Sequence, residues 1–297
     1  MIAVDWGTSS FRAWRLDADG SVLDERTAPD GLLSSRGRFE DVLVRHLEGW
    51  SDAEVLLGGM VGSRNGWVEV PYVEAPAGVG ALAAGLASVD VPRLPGRRVR
   101  IAPGVCQRGA TPEVMRGEEV QIVGLLDALP DRDAHSVCLP GTHSKWVRVE
   151  HGRITSFRTA ITGELYALLR THSLLAALMP AMPDSDADDG AAFDAGVAAA
   201  TRDPVPLASR LFGVRTRGLF GELPAAQAAS YLSGLLVGDE LHGWISAMPP
   251  QGEAVHLVGG TALTARYARG LQALGVASRV HPETLAARGL HRLALAS

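Results

Sequence analysis

Short apolar runs that end in glycine, followed by alternating segments, occur twice along the chain in the same order. Ile2–Val4 is apolar and leads through Asp5 and Trp6 into Gly7-Thr8. Phe11–Leu16 then alternates, Asp19-Gly20 supplies a hairpin turn, and a further segment ends at Thr27-Ala28. The order returns from Val137, with Gly141-Thr142, the alternating run Lys145–Val149, the turn His151-Gly152 and a final Thr159-Ala160. The spacing from turn glycine to that threonine is the same in both copies. A second echo pairs EVLLGGMVGS (Glu54–Ser63) with AVHLVGGTALT (Ala254–Thr264), each a strand entering Gly-Gly. Two echoes in one order predict a duplicated strand–hairpin unit.

Helical periodicity fills the intervals. Val120, Ile122, Val123, Leu125, Leu126 and Leu129 mark one helix over Glu118–Leu129, and three more are expected near Gly163–Leu178, Pro224–Ala247 and Thr261–Leu274. The polar breaker Leu129-Pro130-Asp131-Arg132-Asp133 separates the copies. It divides the chain into expected domains 1–130 and 131–297, each mixing strands with helices, an α/β class. The 297 residues suffice for two domains of roughly 100–200 residues.

Composition narrows the function classes. A net charge of −5 without a basic stripe argues against a nucleic-acid partner. Cysteines are sparse, Cys106 and Cys138 alone, as in a reducing cytoplasm. The start MIAVDWGTSS has no basic leader region, and no apolar run approaches the ~18 residues that span a bilayer. A cytoplasmic protein without a membrane partner is expected.

The two Gly-Thr turns suggest a phosphate clamp, because glycine lets backbone N–H groups approach phosphate oxygens. The candidates are Gly7, Thr8, Ser9 and Ser10 in the first turn, and Gly141, Thr142, His143, Ser144 and Lys145 in the second. A tight structural turn explains either alone; the matched pair favours phosphate. Asp5 ends an apolar strand that needs no carboxylate for packing, and a carboxylate there suits Mg²⁺. Leu139 stands at the corresponding place in the second copy. Gly259-Gly260-Thr261 opens a helix behind a buried-type strand, a place for a phosphate or ribose edge. A base for an acceptor hydroxyl is sought in Gly117-Glu118-Glu119 or in His143; acidic residues in a helix's first turn also have a purely structural explanation. Asp184–Gly190 lacks the ligand pattern of a calcium loop. Gly238-Asp239-Glu240 reads as the polar face of a long helix.

Asp5-x-Gly7-Thr8, Gly141-Thr142 and Val258-Gly259-Gly260 resemble the two phosphate motifs and the adenosine motif of the superfamily of sugar kinases, hexokinase, actin and the heat-shock chaperones. More closely, VDWGTSSFRAW, GGMVGSRNGW, PGVCQRG, MRGEEVQIVGLL, LPGTHSKWV, FRTAITGELYALL, YLSGLLVGDEL and LVGG resemble the 2-dehydro-3-deoxygalactonokinase family, over nearly the whole chain. The resemblance implies two ribonuclease H-like domains with mixed sheets flanked by helices and an active site in the cleft between them. It implies transfer of phosphate from ATP, with Mg²⁺, to the 6-hydroxyl of 2-dehydro-3-deoxy-D-galactonate. In related kinases of the glycerol-kinase type the base lies at the helix start matching Gly117-Glu118-Glu119, with Asp where this chain has Glu, so Glu118 is preferred to His143. For the substrate carboxylate, the arginine fork suits two-point binding. Arg12, Arg64, Arg116 and Arg158 are candidates, Arg64 foremost, with Ser63 beside it and Trp6 and Trp67 as walls of the sugar site. The oligomeric state is open, a homodimer included. A phosphatase of the same fold and a non-catalytic sugar sensor are the alternatives; the epimeric gluconate-derived acid is an alternative substrate.

Overall fold

In β1 (Ile2–Trp6) the apolar Ile2, Ala3, Val4 and Trp6 are buried and Asp5 alone is half-buried. That pattern marks a strand covered on both faces whose end carries one polar group. Chain order continues with β2 (Phe11–Leu16), β3 (Val22–Ala28), α1 (Leu32–Ser35), α2 (Phe39–His46), β4 (Glu54–Gly59), β5 (Val73–Glu74), β6 (Ala77–Gly78), α3 (Val79–Ala84), β7 (Ala87–Val89), β8 (Arg98–Ile101), β9 (Val105–Gln107) and β10 (Glu113–Met115). Then come α4 (Glu118–Leu125), β11 (Ala134–Leu139), β12 (Ser144–Glu150), β13 (Arg153–Ala160), α5 (Thr162–His172), α6 (Gly190–Arg202) and α7 (Leu207–Leu219). The chain closes with α8 (Ala225–Ala247), β14 (Val255–Val258), α9 (Thr261–Ala273), β15 (Ser278–His281) and α10 (Leu285–Leu295).

This computed structural model describes residues 1–129, 134–179, 189–202, 204–250, 254–282 and 284–297. The breaker at 130–133 and most of the acidic stretch, 184–188, lie outside the described residues. The chain forms two compact units, neither continuous in sequence. The first comprises Met1–Ala134, Val147–Arg158 and His281–Ser297; the second comprises His135–Trp146 and Thr159–Val280.

The first unit is built on a six-stranded sheet in the order β3-β2-β1-β4-β8-β7. β1 pairs antiparallel with β2, Asp5 opposite Arg12, and parallel with β4, Asp5 opposite Gly58. Trp6, Phe11, Phe39, Leu43, Val55, Leu57 and Ile101 belong to its core. A smaller sheet runs β10-β9-β5. The C-terminal helix α10 packs on α4, where a Cβ on Gly289 would collide with Val120 O.

In the second unit β11 pairs in parallel with β14. Cys138, Trp146, Phe193, Val237, Leu257, Tyr267 and Leu271 form one core, and α6, α7 and α8 surround another that includes Val214, Tyr231 and Leu235. The three helices expected in this part are present as α5, α8 and α9; α6 and α7 are additional here, as is α10 in the first unit. Both cysteines are buried free thiols.

Candidate active site

The first Gly-Thr turn joins β1 to β2. Gly7 N–H donates to Ser10 O at 2.9 Å, closing the turn and leaving Thr8 and Ser9 exposed. The chain beyond β3 returns underneath it: Leu32 N–H donates to Gly7 O at 2.9 Å. Gly31 lies so close to Thr8 O and Ser9 that a Cβ there would overlap them. Trp6 anchors this contact by donating from Nε1 to Asp30 O at 2.8 Å. Its ring packs edge-on against Phe11 at 4.9 Å and Phe39 at 5.6 Å, with no exposed surface. Trp6 is therefore a core residue supporting the turn, in place of the sugar-site wall expected of it. Trp67 is half-buried and stacks on Phe39 at 6.2 Å.

Asp5 and Arg12, adjacent across the hairpin, form an ion pair, Arg12 Nη2 to Asp5 Oδ2 at 3.2 Å. The other carboxylate oxygen faces the end of β4. Gly59 there has φ +92°, and a Cβ on it would stand 3.2 Å from Asp5 Oδ1. Gly117, with φ +110°, lies against Gly59: its own Cβ would be 3.3 Å from Gly59 Cα. Two glycines in backbone conformations that disfavour side chains thus bring the start of α4 up to the end of β1. This contact places Glu118 and Asp5 in one neighbourhood although 113 positions separate them in sequence (118 − 5).

The two glutamates after Gly117 differ in setting. Glu118 is half-buried and accepts from Arg116 N at 3.0 Å. Glu119 is fully buried, accepts from Gly117 N at 2.7 Å, and has Oε1 without a hydrogen-bonding side chain or backbone group. Burial, then the charge of Glu118, pushes the Glu119 carboxyl up to about 8. One member of the pair is thus set to hold a proton near neutral pH beside another in a half-buried setting.

The candidate arginines separate. Arg116 is buried, donates to Val70 O at 2.7 Å and lies 4.3 Å over the Tyr72 ring; its Nη1 would be 3.0 Å from a Cβ on Gly62, next to buried Ser63. Arg12 serves Asp5. Arg158 is half-buried and donates to Thr111 O at 3.2 Å. Arg64 is exposed and lines a cleft of about 530 Å³ with Arg36, Arg38, Glu40, Asp41 and Trp67.

In the second unit, the Gly-Thr turn leads into β12 and sits on the first turn of α5. Glu164 N–H donates to Thr142 O at 3.0 Å, and Gly163 lies against Gly141 O and 2.8 Å (as a Cβ) from Thr142 Cα. His143 is exposed and pairs with Glu164 at 2.6 Å. Lys145 is buried and donates to Thr159 Oγ1 at 2.8 Å. The Gly-Gly turn joins this group, since a Cβ on Gly259 (φ +148°) would be 3.2 Å from Pro140 O. Gly260 caps α9 and Thr261 begins it, exposed.

Glu240 was missed. It is buried, not on a solvated helix face, and accepts from Trp146 Nε1 and Tyr267 OH, each at 2.7 Å. Among the described residues no cluster of three or more metal-ligating side chains occurs, and no helix is long and apolar enough to cross a membrane.

The profile of the 2-keto-3-deoxy-galactonokinase family matches residues 5–293. A Rhizobium meliloti (strain 1021) protein named "Probable 2-dehydro-3-deoxygalactonokinase DgoK1" is 38% identical over 280 residues, covering 92% of this chain and 89% of its own. The Escherichia coli (strain K12) 2-dehydro-3-deoxygalactonokinase is 37% identical over 278 residues, covering 92% and 90%. A crystal structure of a Sinorhizobium meliloti protein of the same description superposes with a TM-score of 0.87 at 35% identity, over 99% of this chain and 97% of that one. Matched over nearly its whole length by sequence and by fold, the chain belongs to the 2-keto-3-deoxy-galactonokinase family.

Proposed function

We propose that the protein transfers the terminal phosphoryl group of ATP to the 6-hydroxyl of 2-dehydro-3-deoxy-D-galactonate. The observation that carries this reading is the meeting of the Asp5 strand end with the Glu118 helix start through Gly59 and Gly117. In this reading Asp5 supplies a carboxylate to a metal and Glu118 one to a proton. The exposed tips of both Gly-Thr turns offer backbone amides and hydroxyls to phosphate oxygens, and Gly259-Gly260-Thr261 offers a bare helix start to the nucleotide.

Asp5, with Oδ2 paired to Arg12 and Oδ1 facing Gly59, would offer Mg²⁺ a single hard oxygen donor, the mode in which that ion keeps waters and binds substrate phosphates. When bound, Mg²⁺ neutralises charge on the phosphates. Glu118 orients the acceptor hydroxyl and receives its proton at the carboxylate, and the protonated Glu119 behind it keeps a second negative charge away. The carboxylate of the sugar acid is assigned to the cleft bearing Arg36, Arg38 and Arg64, in the same unit as Asp5 and Glu118. Two buried thiols suit a reducing compartment, and the cytoplasm is the proposed site of action.

A coupled ADP-release assay with Mg²⁺·ATP tests the reading against the galactonate-derived acid, its gluconate-derived epimer and a no-acceptor control. Release that requires the galactonate-derived acid is expected. Equal release without acceptor identifies a hydrolase, and preference for the epimer overturns the substrate.

A further inference from the structure

One buried carboxylate of the second unit lies on a helix, outside the predicted loops. Glu240, in the middle of α8, is 8% exposed. Trp146 of β12 donates to its Oε1, and Tyr267 of α9 donates to its Oε2, each at 2.7 Å. The hydroxyls of Ser144 and Thr162, at the starts of β12 and α5, lie beside it as well. Ser144 Oγ is also 2.8 Å from Tyr267 OH. Trp146, Tyr267 and Ser144 are themselves buried, at 4%, 1% and 0%. Tyr267 spends its one hydroxyl hydrogen on Glu240, so Ser144 Oγ–H donates to Tyr267 OH, and a chain runs from Ser144 through Tyr267 to the carboxylate.

Those groups are not scattered. Ser144 is the last residue of the second Gly-Thr turn. Thr162 precedes Gly163 and Glu164, which hold Gly141 and Thr142 from beneath. Tyr267 is on the helix that starts at the Gly-Gly turn. One carboxylate therefore ties together both phosphate-type turns of this unit and the helix start that supports one of them. A buried charge would ordinarily weaken a core, and hydrophobic replacement often matches or exceeds its stability. Its value lies in geometry: an acceptor at this point fixes the direction of Trp146 Nε1 and Tyr267 OH, and through Tyr267 that of Ser144, which an apolar residue cannot do.

We propose that Glu240 is the positioning residue of the nucleotide half of the site, locking Ser144 of the second Gly-Thr turn to α9 and α5 through Tyr267 and Thr162. The proposal rests on the reading that these turns bind ATP. Tyr267→Phe keeps the ring and removes the O–H between Glu240 and Ser144; Glu240→Gln keeps the shape and turns one acceptor oxygen into a donor. Val237→Ala, in the same helix and core, is the control for destabilisation alone.

Calorimetric titration of the full chain with a non-hydrolysable ATP analogue and Mg²⁺ is the test, alongside melting temperature and KM for the sugar acid. Both Tyr267→Phe and Glu240→Gln should raise the nucleotide Kd by about five- to tenfold, the scale of one or two buried hydrogen bonds, with KM for the sugar acid changed less than about twofold. Val237→Ala should lower the melting temperature with the nucleotide Kd unchanged. An unchanged Kd in Tyr267→Phe, or equal weakening in Val237→Ala, overturns the positioning role while leaving the kinase reading intact. A wild-type chain that takes up no nucleotide overturns both.

Discussion

The two Gly-Thr turns share one underpinning and differ in what stands behind it. In each, the strand that completes the hairpin ends in Thr-Ala, and a glycine three residues later slides beneath the turn: Gly31 under Thr8 and Ser9, Gly163 under Gly141 and Thr142. In each, a backbone N–H just after that glycine reaches a turn carbonyl, Leu32 to Gly7 and Glu164 to Thr142. The supports then part. Behind the first turn stand an accessible ion pair, Asp5–Arg12, and the glutamate-bearing start of α4. Behind the second stands Glu240, sealed in by Trp146, Tyr267 and Ser144. The backbone cradle is common to both turns, and the side chains around it differ: the proposed reactive groups stand at one turn, a buried hydrogen-bonded support at the other.

The sharpest test of that division removes a proton acceptor from each side. Glu118→Gln should lower kcat by about 100-fold or more, within the range for loss of a general base, without weakening nucleotide binding. His143→Gln, which removes only an exposed pair with Glu164, should change kcat by less than about threefold. Steady-state kinetics of the two variants decide it; similar losses in both would erase the asymmetry. Asp5→Asn should cut kcat by roughly tenfold or more and weaken the response to Mg²⁺, since it removes the metal-suited charge of the first turn. A normal Mg²⁺ titration in that variant removes the metal assignment.

The shared cradle is tested by steric insertion. Gly31→Ala and Gly163→Ala each push a Cβ into turn backbone, which cannot yield as a flexible side chain can. Each should cost about 1–3 kcal/mol, read as a lower melting temperature. A loss confined to one of them would show that the turns are not equivalent after all.

A pH-dependent effect concerns Glu119. Its carboxyl, raised from 4.5 to about 8, stays protonated in the folded chain where the unfolded chain has released the proton. The folded state therefore binds more protons across that interval, and its contribution to stability is full below about 4.5 and declines as pH rises towards about 8. Glu119→Gln keeps an acceptor for Gly117 N–H and carries no titrating group. Denaturant melts from pH 5 to 8 should show the variant losing less stability than the wild type with rising pH; parallel slopes would place an ionised carboxylate at this position.

Much of this was legible in residue order. Alternation and Gly turns located both hairpins, and Gly-Thr and Gly-Gly marked the turns because close backbone approach needs glycine wherever it occurs. The third echo, Thr27-Ala28-x-x-Gly31-x-Leu33 against Thr159-Ala160-x-x-Gly163-x-Leu165, was equally present in the sequence, but nothing local shows that a helix-start glycine also lies beneath a distant turn. Trp6 was misplaced because a tryptophan beside a loop suits a ligand wall and a core equally; only Phe11, Phe39 and Asp30 converging on it decide. Glu240 was misread for a related reason. In a helix whose other residues are largely apolar, one glutamate looks like the solvent face, and its polar neighbours lie far off in sequence at 144, 146, 162 and 267.

Local chemistry thus settled the hairpins, the glycine turns and the family, since each depends on residues within a few positions of one another. The meeting of Gly59 with Gly117, the different burial of Glu118 and Glu119, and the enclosure of Glu240 were decided by packing. Burial and hydrogen-bond partnership belong to neighbours in space, and a chain acquires those neighbours only when it folds.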